Sequence, residues 1–250
     1  MVQFFRSDNL QIAYIDQGEG EPILLIHGFA SNHRVNWMDT LWVRDLLAAG
    51  RRVIALDNRG HGQSDKPHDP AAYGTPAMAA DACRLLDHLG IERADVMGYS
   101  MGARITAFLA LDHPERVRRA VLAGLGAGLL IGVGAPQPIA DALLAPSIDD
   151  VTTPQGRMFR MFAEQTRSDR EALAACILAS RQVMTEDELR AIRVPVLVAV
   201  GTTDDVAGPP EPIADLIPDS RIFHIQGRDH MKAVGDRTAK KAVMEFLSEA

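Results

Sequence analysis

Six short, mostly apolar runs constrain the fold of this 250-residue chain more than any other feature. Most of them are rich in valine, leucine, isoleucine and alanine, and each is stopped by a glycine or a polar residue. Runs of this length and composition are typical of β-strands that are buried on both faces. They cover residues 23–26, 53–56, 94–97, 117–123, 196–200 and 221–225.

Helical patterns lie between several of these runs. Residues 75–90, 101–111 and 232–247 combine good helix formers with apolar positions at helical spacing. Strands that alternate with helices predict βαβ units, so we expect an α/β fold with a mostly parallel sheet flanked by helices. Near the N-terminus, residues 4–5 and 10–15 alternate instead, which indicates an antiparallel hairpin that leads into the sheet.

One region interrupts the alternation. Residues 126–192 contain no strand pattern but several helix starts, at 153–154, 168–171 and 185–188. A segment of this length is marginal as a domain with its own core. We therefore predict one core domain formed by residues 1–125 and 193–250, with a helical insertion at 126–192.

Composition limits the classes of partner. The formal net charge is −7 and the pI is about 5.6, which argues against a nucleic-acid partner. Residues 1–9 have no apolar signal-peptide core, and residues 120–136 fall short of the roughly 18–20 apolar residues of a membrane span. Cys83 and Cys176 are predicted to be buried, reduced thiols. We expect a cytoplasmic protein, and the sequence does not predict its oligomeric state.

A possible nucleophile lies between a predicted strand and a predicted helix. Gly98-Tyr99-Ser100-Met101-Gly102 matches the pattern G-x-S-x-G, in which a serine on a tight strand-to-helix turn projects its hydroxyl from the sheet. The alternative is a serine that only caps the helix. The strand–turn–helix context favours the nucleophile.

A serine hydroxyl needs a base, and the base needs an orienting acid. His230 follows the last predicted strand, and Asp204 and Asp205 follow the strand before it. The chain order serine, acid, histidine is that of the α/β-hydrolase pattern. From the residues alone, either carboxylate is eligible, and a pair of turn aspartates without function is the alternative.

An oxyanion would need backbone donors as well. We predict the amide of Met101, which follows the serine, and the amide of Phe29, in the loop after the first buried strand. Gly28 would let that loop approach the substrate closely.

Taken together, these segments resemble the α/β-hydrolase superfamily. The matching residues, in the family's order, are His27-Gly28-Phe29, Asp57-Asn58-Arg59-Gly60-His61-Gly62-Gln63-Ser64-Asp65, Gly98-Tyr99-Ser100-Met101-Gly102, Gly201-Thr202-Thr203-Asp204 and Asp229-His230. The resemblance implies an eight-stranded, mostly parallel sheet with a lid after the sixth strand, and it selects Asp204 over Asp205. It also implies that the 57–65 loop packs beneath the site as a structural element.

One departure concerns the residue before the histidine. Many relatives have glycine there, whereas this chain has Asp229. This second carboxylate either raises the pKa of His230 or points to solvent.

Ser100 determines the expected chemistry. Relatives that open alkyl halides or epoxides use an aspartate, because an alkylated serine would be a stable ether; a serine indicates acyl transfer. We expect a carboxylesterase that acts on small apolar esters, with Met158, Met161 and Phe162 either lining the pocket or packing against the core. The same residues also suit a lactonase, a perhydrolase or a carbon–carbon bond hydrolase, or a non-catalytic protein that binds a small ligand.

No cofactor and no metal are predicted. The chain lacks an H-E-x-x-H ligand pattern, and no G-x-G-x-x-G follows the first buried strand.

Overall fold

A single eight-stranded sheet organises the structure, a computed structural model that describes residues 1–249. The strands are β1 Gln3–Ser7, β2 Leu10–Gln17, β3 Pro22–Ile26, β4 Arg52–Leu56, β5 Ala94–Tyr99, β6 Val117–Ala123, β7 Val196–Gly201 and β8 Ser220–Ile225. Their order across the sheet is β1-β2-β4-β3-β5-β6-β7-β8. β2 is antiparallel to β1 and to β4, and all other pairs are parallel. The predicted hairpin and the predicted mostly parallel sheet are both confirmed.

The inner strands are apolar because helices cover both of their faces. All six residues of β5 are buried. Successive residues of β3 alternate between two clusters: Leu24 and Ile26 belong to one, Ile23 and Leu25 to the other. A strand buried on both sides needs an apolar residue at every position, which is why its sequence shows a continuous run rather than alternation.

Eleven helices occur in residues 1–249, most of them on the connections between strands. They are α1 Trp42–Ala48, α2 Thr75–His88, α3 Met101–Asp112, α4 Gly128–Ile131, α5 Gln137–Leu144, α6 Pro154–Gln165, α7 Arg170–Ala179, α8 Glu186–Ala191, α9 Glu211–Ala214, α10 His230–Ala233 and α11 Arg237–Ser248. α2 and α3 pack on one face of the sheet, whereas α1 and α11 pack on the other. None of these helices is both long enough and apolar enough to span a bilayer.

The segment predicted as one helix over 232–247 forms two. α10 ends at Ala233, and α11 begins at Arg237 after a turn at Val234 and Gly235. The side chain of Asp236 accepts hydrogen bonds from the amides of Thr238 and Ala239 and so caps the second helix. The apolar spacing alone did not reveal this break, because both helices keep their apolar faces toward the core.

Between β6 and β7 the chain forms α4 to α8 and contains no strand from 124 to 195, all of which the structure describes. Thr153 and Thr185 cap α6 and α8 as predicted. α7 is capped by Asp169 rather than by the predicted Ser168, because Asp169 accepts the amide of Ala172.

Candidate active site

The turn between β5 and α3 holds Ser100 in a strained backbone conformation. Its φ is 55° and its ψ is −112°, in the region that L-residues rarely adopt. Two residues before the serine and two residues after it, neighbouring backbone leaves no room for a side chain. A Cβ at Gly98 would lie 2.1 Å from the carbonyl oxygen of Gly102, and a Cβ at Gly102 would lie 1.9 Å from that of Ile26. The two glycines therefore allow the strand, the turn and the helix to pack this tightly.

The imidazole of His230 lies between Ser100 and Asp204. Its Nε2 is 3.0 Å from the Ser100 Oγ, and its Nδ1 is 2.8 Å from the Asp204 Oδ2. His230 begins α10 after β8, and Asp204 lies in the turn after β7, so the topology brings both to the carboxyl end of β5. His230 is 8% exposed, and the Asp204 side chain is fully buried.

The turn that contains Asp204 fixes its carboxylate. Oδ1 accepts the amides of Val206 and Ala207, both at 2.9 Å, and this leaves Oδ2 for the imidazole. Asp205, the other eligible acid, is exposed. An Nδ1–H that donates to Asp204 leaves the Nε2 lone pair free to accept the serine proton. This arrangement has the geometry of a base that can activate the hydroxyl.

Two backbone amides adjoin Ser100. Met101 is the first residue of α3, and Phe29 lies in the loop after β3. Within residues 1–249 neither N–H donates a hydrogen bond. The loop passes close to the serine, because a Cβ at Gly28 would lie 3.5 Å from the Cβ of Ser100. The loop that carries Phe29 therefore runs beside Ser100, and the amides of Phe29 and Met101 are without an acceptor in the part of the chain that the structure describes.

Beneath the site, the 57–65 loop forms a buried hydrogen-bonded network. Asp57 accepts the backbone and side-chain N–H groups of His33 and the amide of Gln63. Burial lowers the pKa of His27 to about 4 and that of His61, which also faces His27, to about 3. Both imidazoles are therefore neutral at physiological pH, and their contacts are structural.

Asp229 is used by the backbone of α10. Its Oδ1 accepts the amides of Met231 and Lys232 at 3.1 and 2.9 Å. These bonds, together with the Lys232 ammonium, hold the pKa of the Asp229 carboxyl below its usual range. Asp229 therefore caps α10, and its side chain is 43% exposed, so the structure supports the second of the two predicted roles, a carboxylate that points to solvent.

A cavity of about 270 Å³ opens beside Ser100 and His230, and its lining is mainly apolar. Met158 and Phe162 reach it from α6, whereas Met161 is 49% exposed and lies outside it. Trp37 and Trp42 are buried in the core rather than in this wall. The other residues that line it are Gly28, Phe29, Ser31, Val35, Asn36, Thr40, Tyr99, Phe159, Met231 and Val234.

Several of these wall residues carried no signal in the sequence. Val35 and Asn36 belong to a helical turn over Arg34–Met38, and Val234 follows α10. Asn36 supports the loop, since its Oδ1 accepts the amide of Gly28 at 3.0 Å. Their shared position depends on the packing of separate loops, which no local pattern encodes. Tyr99 lies within the serine motif itself and was the one neighbour that the motif could have indicated.

The fold and the site define the class of protein. The model of the alpha/beta hydrolase fold family matches residues 21–188, and the chain belongs to that family.

Three similar proteins illustrate the range of the family. A 2-hydroxymuconate semialdehyde hydrolase of Pseudomonas sp. strain CF600 is 44% identical over 109 residues, which are 44% of this chain and only 38% of that protein. A non-heme chloroperoxidase of Streptomyces lividans is 31% identical over 86% of this chain and 84% of its own. The crystal structure of the enol-lactonase from Burkholderia xenovorans LB400 superposes with a TM-score of 0.77 at 25% identity and covers 99% of this chain and 100% of its own.

Proposed function

We propose that this chain is a serine hydrolase that cleaves carboxylic esters through an acyl-enzyme. The observation that carries the proposal is the pair of contacts made by His230, 3.0 Å to the Ser100 hydroxyl and 2.8 Å to the Asp204 carboxylate. Membership of a hydrolase family supports the same class of chemistry.

The proposed reaction has two halves. His230 takes the Ser100 proton as the hydroxyl attacks the ester carbonyl, and Asp204 stabilises the resulting imidazolium. The tetrahedral intermediate collapses as His230 returns the proton to the departing alcohol. Water then attacks the acyl-enzyme with His230 again as base, and the acid leaves.

The backbone stabilises the charge that develops in both halves. We propose that the amides of Phe29 and Met101 bind the oxyanion, a role supported by their unused N–H groups beside Ser100. Helix α3 begins at Met101, so its N-terminal dipole also favours negative charge there.

The substrate is proposed to be a small molecule with an apolar part that fills the 270 Å³ cavity. We propose that the helical segment 126–192 acts as the lid of this cavity, since Met158, Phe159 and Phe162 of α6 supply part of its wall. No metal or cofactor is required for this chemistry.

A lactone is the second candidate substrate. It is an internal ester, which the same serine attack would open, and the likeness to an enol-lactonase over the whole chain favours it. Carbon–carbon bond cleavage is the corresponding alternative suggested by the partial match to the semialdehyde hydrolase. Steady-state rates on an ester, a lactone and a vinylogous diketone separate the three.

The test of the proposal is hydrolysis of 4-nitrophenyl butyrate by the wild type, by Ser100→Ala and by Ser248→Ala. Ser248 is an exposed serine at the end of α11 and serves as the matched control. We expect Ser100→Ala to lose about 10⁴-fold or more in kcat and Ser248→Ala to retain it. Undiminished turnover by Ser100→Ala, or no labelling of Ser100 by a fluorophosphonate, would point to a binding protein instead.

A further inference from the structure

A second, smaller cavity adjoins Ser100 and contains two arginines. Its volume is about 40 Å³, and its wall includes Phe29, Ser100 and Met101 together with Arg104 and Arg181. Ser100 and Phe29 also line the larger apolar cavity, so the two spaces meet at the serine. An ester whose carbonyl carbon lies at Ser100 would therefore have a cavity available on each side of that carbon. The two cavities differ in size, and arginines line only the smaller one.

Arg104 is a buried cation with neutral partners only. It lies one turn after Ser100 in α3, is 3% exposed, and donates to the carbonyl oxygens of Gln182 and, at 3.0 Å, of Gly128. Within residues 1–249, no carboxylate lies within 4.0 Å of its guanidinium nitrogens. The positive charge of Arg104 therefore lacks a counterion among these residues, and burying an uncompensated charge is energetically costly.

The other buried arginines show the usual arrangement. Arg59, 6% exposed, forms a two-point pair with Asp81, with both distances 2.7 Å. Arg160, 4% exposed, lies 2.6 Å from Glu164. Arg104 is as deeply buried as either of these but is not paired, and this contrast singles out its surroundings as a place for an anion.

Arg181 brings a second positive charge to the same cavity. It follows α7 and donates to the carbonyl oxygens of Val133 and Gly134 at 3.3 and 2.9 Å. Burial lowers the pKa of Arg104 to about 10 with a further contribution from Arg181, and burial likewise lowers the pKa of Arg181. Both groups remain protonated at neutral pH, and an anion between them would relieve their repulsion.

We propose that this cavity binds a carboxylate carried by the acyl part of the substrate. The inference rests on the proposed function and specifies its substrate class: half-esters of short dicarboxylic acids whose apolar alcohol occupies the 270 Å³ cavity. The planar guanidinium groups match a carboxylate, and a 40 Å³ space suits a group of that size rather than a ring or a long chain. This differs from the uniformly apolar ester that the sequence predicted.

The test compares charged esters with neutral isosteres. The substrates are the monobenzyl esters of succinic, glutaric and adipic acids, each with the benzyl keto-ester in which a methyl ketone replaces the carboxylate. Release of benzyl alcohol is measured by chromatography. We expect the wild type to prefer at least one half-ester over its isostere by at least about tenfold in kcat/KM, the size expected of hydrogen bonds to a charged group.

The variants separate the role of Arg181 from a general effect of charge. Arg181→Gln should reduce that preference about tenfold or more, and Arg181→Lys should retain part of it. Arg190→Gln is the matched control, because Arg190 is exposed on α8 and already pairs with Glu186 and Asp187, so the preference should persist. Arg181 is chosen over Arg104 because the latter supports two backbone segments.

A binding measurement keeps this inference distinct from the proposed function. Titration calorimetry with glutarate should show binding to the wild type and to Ser100→Ala, and weaker binding to Arg181→Gln. Hydrolysis of the neutral isosteres with no preference for any half-ester would overturn the carboxylate site and leave the esterase intact. If Ser100→Ala still hydrolyses esters, the proposed mechanism fails, and the carboxylate site is then judged by glutarate binding alone. Absence of glutarate binding, or equal binding to the wild type and to Arg181→Gln, would overturn the site.

Discussion

The two oxygens of the Asp204 carboxylate bind different parts of the structure. One accepts the amides of Val206 and Ala207 at 2.9 Å, and the other lies 2.8 Å from Nδ1 of His230. The first set fixes the acid in its turn, and the second orients the imidazole. An acid held in this way maintains the tautomer in which Nδ1 carries the proton, so that the lone pair of Nε2 faces Ser100.

This relationship predicts the effect of Asp204→Asn. The amide can present an N–H to Nδ1, which then favours the wrong imidazole tautomer, so we expect kcat for 4-nitrophenyl butyrate to fall by about 10⁴-fold. Asp205→Asn, at the exposed neighbour, is the control and should keep the wild-type rate. Equal rates for the two variants would mean that Asp204 does not orient the base.

The buried histidines predict a loss of stability in mild acid. The folded-state pKa values of His27 and His61, about 4 and 3, lie below the unfolded value of 6.5. The unfolded chain therefore binds protons first, and stability that is present above pH 6.5 is lost as the pH falls toward 4. At pH 5 the loss is about 2 kcal/mol for each histidine.

Urea unfolding at pH 7.5 and pH 5 measures this loss. His61→Gln should reduce the difference between the two pH values, whatever its effect on stability at pH 7.5. His224→Gln, which alters a half-exposed imidazole, should keep the wild-type difference. The prediction is wrong if the free energy of unfolding falls by the same amount between pH 7.5 and pH 5 in His61→Gln and in the wild type.

The tight crossing of β5 and α3 predicts that Gly98→Ala destabilises the fold. The new Cβ would lie 2.1 Å from the Gly102 carbonyl oxygen, and backbone on both sides must shift, at a cost of about 3 kcal/mol or more. Gly74→Ala is the matched control, because its nearest neighbour is the Gln182 side chain at 3.5 Å and its φ is −56°. The free energy of unfolding of Gly74→Ala should differ from that of the wild type by less than about 1 kcal/mol. Chemical denaturation compares the two, and similar values would contradict the steric argument.

Phe162 predicts a change in selectivity for the alcohol part of the ester. It lines the apolar cavity from α6, so Phe162→Ala enlarges the space proposed for that part. The ratio of kcat/KM for octyl acetate to that for butyl acetate should rise about tenfold. Met161→Ala, on the same helix but outside the cavity, should leave the ratio near the wild-type value. A rise in both variants would indicate loosening of the helix rather than a larger pocket.

The agreement between sequence and structure varies with the range of the interactions involved. The inner strands, the N-terminal hairpin and the caps at Thr153 and Thr185 were predicted correctly, because each depends on neighbouring residues. The break between α10 and α11 is an exception: the Asp236 cap that starts α11 is also local, but the apolar spacing continues across the break and hid it. The structure places Ser100, Asp204 and His230 together, and their catalytic role stays a prediction.

The sequence by itself determined which segments become strands, and it marked Ser100 as the residue at a tight strand-to-helix turn. Those features follow from side-chain size, apolar patterning and the need for glycine, all of which act over a few residues. Only the tertiary structure decided that Arg104 and Arg181 face one small cavity and that Val35, Asn36 and Val234 share the wall of the larger one. Such relationships join residues far apart along the chain, and the order of the strands and the packing of the helices create them.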